Sequence, residues 1–136
     1  MRSLAKKILL HILLPLVAGL LIYLFTREVP LHIYVRNIPL HDSLIDNLQN
    51  ASWLTRIIVL SGPDFLWSYS FASALFIWKS YAGPVSISFF ILVAAIMAFS
   101  ELIQLGLPLY FTFDIADLVA AILATGLSYF LNTRNV

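Results

Sequence analysis

Cysteine is absent from the 136-residue chain. Disulfides, thiolate metal centres and cysteine nucleophiles are therefore excluded, and the redox compartment has no cysteine signal. Charge is the second scarcity: eight Lys and Arg stand against seven Asp and Glu, 11% of the chain, for a formal net charge of +1. A globular domain normally carries about a quarter of its residues as charged side chains. With no basic field to wrap a polyanion, nucleic acid is not an expected partner. What abounds is apolar surface, with 61% hydrophobic residues and a mean hydropathy of +0.93. A chain this short cannot enclose so large an apolar share in one core, because surface rises relative to volume as domains shrink. The composition calls for lipid as solvent.

The apolar residues gather in four segments, expected as helices at about 8–25, 65–82, 85–105 and 115–131. The fold class read from them is all-α, a single polytopic membrane domain of four transmembrane helices. Arg2, Lys6 and Lys7 before the first segment resemble the start of a secretory signal, but no small-residue cleavage site follows before Arg27, so the segment is read as retained. Lys79 interrupts the second segment, where a snorkelling ammonium lets the helix continue to Ala82. Gly62-Pro63, Gly83-Pro84, and Gly106 with Pro108 are taken as the joints.

Between the first two segments lies the main polar region, an outer loop at 26–64. Ser43 and Asp46 resemble a capping box, and Leu44, Leu48, Ala51, Leu54 and Ile58 recur at three- and four-residue spacing. That pattern predicts an amphipathic helix lying at the headgroups. Leu31 to Val35 reads as a short extended piece between Pro30 and Pro39. Arg2, Lys6, Lys7, Lys79 and Arg134 flank short segments at one side, against Arg27, Arg36 and Arg56 on the long loop. The positive-inside rule then puts both termini in the cytoplasm.

In that orientation Asp64, Glu101, Gln104, Asp114 and Asp117 all fall at outer helix ends, near His32 and His41 of the loop. They are the candidate ligand-binding residues. Glu101 follows Ala94 and Ala98 on one helix face, where small residues permit close approach. It reads either as a proton-exchanging or headgroup-binding carboxylate, or as an edge acid that is solvated or paired with a loop arginine. Gln104, three residues on, is placed to hydrogen-bond whatever Glu101 holds. Asp114 and Asp117 have a structural competitor, since acids at a helix start satisfy free N–H groups and complement the dipole. Oxygen ligands could hold a divalent ion, yet no histidine spacing supports zinc, and neither a metal nor a cofactor is expected. No nucleophile motif is present, and no catalytic residue is assigned.

Other patterns read as architecture. Ala116, Ala120, Ala124 and Ser128 repeat every fourth residue, as do Ser68 with Ala72 and Ser70 with Ala74, which suits tight helix packing. Trp67, Trp78, Tyr81, Tyr110 and Tyr129 are placed near interfaces as an aromatic belt. His11 reads as a hydrogen-bonded residue near the inner surface, with a proton relay as the alternative. Asn50-Ala51-Ser52 matches a glycosylation acceptor.

Ser100-Glu101-Leu102-Ile103-Gln104, then Phe113-Asp114-Ile115-Ala116-Asp117-Leu118-Val119-Ala120 and Gly126, resemble the VanZ-like family of small bacterial membrane proteins. That family shows Glu-x-x-Gln, a short loop, Asp-x-x-Asp-Leu and a closing helix of small residues. Asp64 looks like the family's Asp-Lys-x-x-His opening, with Phe65 in place of Lys and Ser68 in place of His. Residues Tyr110 to Thr112 lack the usual Arg, and Ala121 stands at a common Asn position. The resemblance implies a role in the bacterial cell envelope, with the namesake linked to tolerance of teicoplanin-type antibiotics. The expected partners are membrane lipids, a lipid-linked envelope precursor or a membrane protein. Two other readings stand beside this one: an accessory subunit packed on a larger membrane complex, and a carboxylate-dependent intramembrane enzyme.

Overall fold

The computed structural model describes residues 2–26, 50–104 and 114–133. Every element among them is helical: α1 Arg2–Ile8, a π-helical turn Leu9–Leu13, α2 Leu14–Thr26, α3 Trp53–Ala82, α4 Ile87–Gln104 and α5 Ile115–Thr133. The expected extended piece at 31–35, the Ser43 cap and the Gly106–Pro108 joint lie outside the described residues. Two stretches, Leu4–Phe25 and Ile115–Thr133, are long and apolar enough to cross a membrane.

The first of these is continuous through the π-helical turn, where the N–H of Leu14 reaches back to the Leu9 carbonyl. Pro15 explains the widening. Its ring would strike the carbonyl four residues earlier in a regular α-helix, and its nitrogen has no proton to donate. Ser70 Oγ of α3 donates to the Ile12 carbonyl at 2.8 Å, one way in which a neighbouring helix satisfies backbone disturbed by proline.

The largest departure from expectation is α3, which begins twelve residues before the predicted start at residue 65 and runs for 30 residues. Gly62-Pro63 is not a joint, for Pro63 is buried inside the helix. The punctuation rule fails because a helix packed on its neighbours loses one N–H bond at a proline, whereas a break there would leave several carbonyls without partners. The start lies at Ser52, whose Oγ accepts from the Thr55 N–H at 3.3 Å. A turn at Asn50 and this cap therefore interrupt the amphipathic helix expected across Ala51, Leu54 and Ile58. Gly83 ends α3 at φ 146°, a conformation that side chains rarely tolerate. Ser86 then caps α4 by accepting from the Phe89 N–H at 3.2 Å.

Side-chain pairs fix the order of packing. His11 meets Tyr69 and Gly19 faces Trp67, so α2 runs antiparallel to α3. Phe76 meets Phe89 edge-on and stacks with Phe90 while Val93 joins Ala72, so α4 is also antiparallel to α3. Ser73 pairs with Ser128, and Phe65 and Val119 line one groove, so α5 runs parallel to α3. The result is an up-down bundle in which α3 lies between α2 and α5, and α4 rests mainly on α5.

Burial in this bundle is inverted relative to a water-soluble protein. Ser61, Ser68, Ser70, Ser73, Glu101, Asp117, Thr125, Ser128 and Asn132 are buried, whereas large aliphatic residues stand exposed from the π-helical turn through α5, including Leu13, Leu20, Ile91, Ile96 and Leu123. On α5 the buried seam is Asp117, Ala121, Ala124, Thr125, Ser128 and Asn132. It shares Ala124 and Ser128 with the predicted stripe but not Ala116 and Ala120, which are half-buried. A strict four-residue repeat drifts around a 3.6-residue helix, and the real seam corrects the drift with a three-residue step. Tyr129, expected near an interface, packs edge-on against Phe76 with ring centres 5.5 Å apart. Trp67 packs on Tyr23, while Trp78 and Tyr81 remain exposed near the end of α3.

Candidate functional site

The antiparallel arrangement sends the end of α2, the first half of α3, the end of α4 and the start of α5 to one end of the bundle. Asp64, Glu101, Asp114 and Asp117 all belong to that end. Asp114 is exposed and acts as the cap of α5: its Oδ1 accepts from the Ala116 N–H at 2.9 Å, and its carbonyl accepts from Asp117 and Leu118. Capping gives Asp114 a complete structural role.

Asp117 differs, although it lies only three residues on. It is 5% exposed at the head of the α5 seam, so helix geometry turns it into the bundle while Asp114 faces outward. Glu101 is 7% exposed and continues the buried row of Val93 and Met97 on α4, with Ala94 and Ala98 on its flank. Asp64 is half-buried in the interior of α3, not at its opening as expected. None of these three acids is left without a partner. Gln104 closes α4, and its side chain is outside the described ones. Among the described residues, no three His, Cys, Asp or Glu side chains converge to hold a metal ion.

At the same end an apolar groove of about 420 Å³ runs between α2, α3 and α5, lined by Ile22, Ile57, Phe65, Leu66, Val119 and Leu123 among others. Ala116 and Ala120, on either side of Asp117 in sequence, form part of its wall. Gly62 also lines it, and a Cβ placed there would meet nothing within 4 Å. The groove starts at the level of the first turn of α5 and extends two turns down the bundle. Its chemistry suits a hydrocarbon chain, and the buried acids at the same level suit a head carrying hydrogen-bond donors or positive charge.

The opposite end holds a cluster that the sequence reading did not place. Ser73 Oγ and Ser128 Oγ are 2.9 Å apart. Asn132 Nδ2 donates to the Ser128 carbonyl at 2.9 Å and to Ser73 Oγ at 3.2 Å. His11 Nδ1 and the Tyr69 hydroxyl are 2.5 Å apart. The available signal was Thr125, Ser128 and Asn132 at helical spacing on α5, matched by Tyr69 and Ser73 on α3. Uncharged polar residues of this kind read individually as packing, which hid their convergence.

Compared with known proteins, the chain matches no family model, no curated sequence and no solved structure.

Proposed function

We propose that the chain is a four-span, VanZ-like protein of the bacterial cytoplasmic membrane that binds a polar lipid or lipid-linked precursor headgroup at the outer leaflet. Both termini lie in the cytoplasm in this reading, so the acid end faces outward. Inverted burial supports the membrane setting beyond the two long apolar helices. Helix α3 carries five serines, of which Ser61, Ser68, Ser70 and Ser73 are buried against protein. The 30 residues of α3 rise about 45 Å, enough to span and project at both faces. Arg56 and Lys79 lie near its two ends, and Asp64 is the sole charge between them.

The observation that carries the binding role is the burial of Glu101 and Asp117 at one end of a bundle whose outside is aliphatic. Buried carboxylates are costly beside lipid and persist where their charge is used. The adjoining groove makes the preferred ligand amphiphilic: its chain lies in the groove, and its ammonium or hydroxyl groups meet the acids. No covalent step is assigned.

The test is lipid selectivity of the full chain reconstituted in vesicles of bacterial lipid. Glu101→Gln with Asp117→Asn keeps side-chain size and removes both charges. Loss of one hydrogen bond to a charged group costs about 1.5–3 kcal/mol, so the double variant is expected to lose at least ~10-fold in preference for its co-purifying lipid. Unchanged lipid selectivity and unchanged glycopeptide tolerance in stably expressed variants would remove this reading.

A further inference from the structure

The acids leave the other end of the bundle unexplained, and there one buried polar atom has no partner. Asn132 is 1% exposed, and its Oδ1 makes no hydrogen bond, while its Nδ2 is committed to Ser128 and Ser73. Exchanging the amide's oxygen and nitrogen would not help, because the nitrogen would then lose the Ser128 carbonyl at 2.9 Å. An unsatisfied acceptor of this kind costs about 1–3 kcal/mol, which a donor at Oδ1 would recover. Ser73 and Ser128 are fully enclosed, so the donor must be small. Asn132 is the penultimate residue of α5, which puts the site within one turn of that helix's end.

From the same cluster a row of exchangeable groups leads inward. Ser128 Oγ meets Ser73 Oγ. Tyr69 lies one turn before Ser73 on the same buried face of α3, and its hydroxyl bonds His11 Nδ1 across to the π-helical turn. Such turns are widened helix and recur at functional positions. Lys7, one turn before His11, and Tyr69 are the charged and titratable groups facing the imidazole among the described residues.

We propose that this end is a proton-exchange site: a water molecule donates to Asn132 Oδ1, and the hydroxyls of Ser128, Ser73 and Tyr69 connect that water to His11. Each hydroxyl accepts one proton and passes one on, so a single proton moves between water and Nδ1 with no change of electron count. The ligand class is water, and His11 is the group that stores the proton. The site is independent of the lipid reading, since it uses none of the acids.

The test uses the full chain in lipid bicelles with labelled histidine, asparagine and serine. Water-to-protein magnetisation transfer should reach Asn132 and Ser73. Exchange of the His11 ring N–H with solvent, identified by its loss in His11→Phe, should slow ~10-fold or more in Tyr69→Phe, which keeps the ring and removes the relay atom. Ser128→Ala should slow it as well, and serves as the second arm should Tyr69→Phe fail to fold. Absence of water transfer to Asn132 would overturn the proposal. Unaltered His11 exchange in a folded Tyr69→Phe or Ser128→Ala protein would overturn it equally.

Discussion

The two ends of the bundle solve the burial of polar groups in opposite ways. At the acid end, charge is concentrated on single side chains, with Asp114 spent on a helix cap and Asp117 and Glu101 turned inward. At the other end no buried acid appears among the described residues; neutral groups from α3 and α5 bond one another and leave only Asn132 Oδ1 open among the described buried side chains, with His11 bonded to Tyr69. Neutral hydrogen bonds between helices hold a bundle together without a large desolvation cost. Buried carboxylates add cost and are suited to a ligand. The comparison teaches that stability and binding should separate by position.

Ser73→Leu should be the most damaging change at the neutral end. It forces a larger side chain against Ser128 where Ser73 is fully enclosed, and overpacking costs about 1–3 kcal/mol. Reversible unfolding in mixed micelles measures the loss, and a Ser73→Leu protein as stable as the parent would break the contrast. Asn132→Ala removes the interhelical bond to Ser73, worth roughly 1 kcal/mol, and the same assay should register that smaller loss while lipid selectivity stays unchanged. Asp114→Ala removes a cap and should cost about 1 kcal/mol or less, seen as faster amide exchange at Ala116. Lipid binding that collapsed with Asp114→Ala would instead move the site outward from Asp117. The smallest stability change is expected for Glu101→Gln, whose shape is preserved.

Helices long and apolar enough to cross a membrane were legible in composition, from an apolar excess beside 11% charge, and Leu4–Phe25 and Ile115–Thr133 meet that description. Helix positions were legible wherever apolar runs were bounded by charge or glycine: α4 and α5 lie within two residues of the expected limits. The start of α3 was not legible. Gly62-Pro63 carries a turn signal tuned to water, and only packing against α2 and α5 shows that the helix continues through it. Asp64 and Asp117 attracted notice by charge, helix-end position and motif, and Glu101 also by its register with Ala94 and Ala98. Which of the acids faces inward depended on seam register: Asp114 and Asp117 differ by three residues yet end on opposite sides of the burial boundary. The close approach at Gly19, where a Cβ would come within 2.9 Å of the Trp67 ring, was also hidden, since its reason lies on another helix.

The absence of cysteine makes the topology simple to probe, because any introduced thiol is unique. Asp114→Cys should react with an impermeant maleimide from outside intact cells, whereas Lys6→Cys should react only after the membrane is opened. Reaction of Lys6→Cys from outside would reverse the orientation.

The most direct measurement is photocrosslinking of the reconstituted full chain with a phospholipid that carries a diazirine in its acyl chain. The account predicts adducts concentrated at Phe65, Val119 and Leu123 of the groove. Gly62→Leu, which places side-chain volume in the open space there, should lower them, while adducts at Leu20 and Ile96 persist. Adducts spread evenly over the exposed aliphatic surface, and unchanged by Gly62→Leu, would contradict the lipid site.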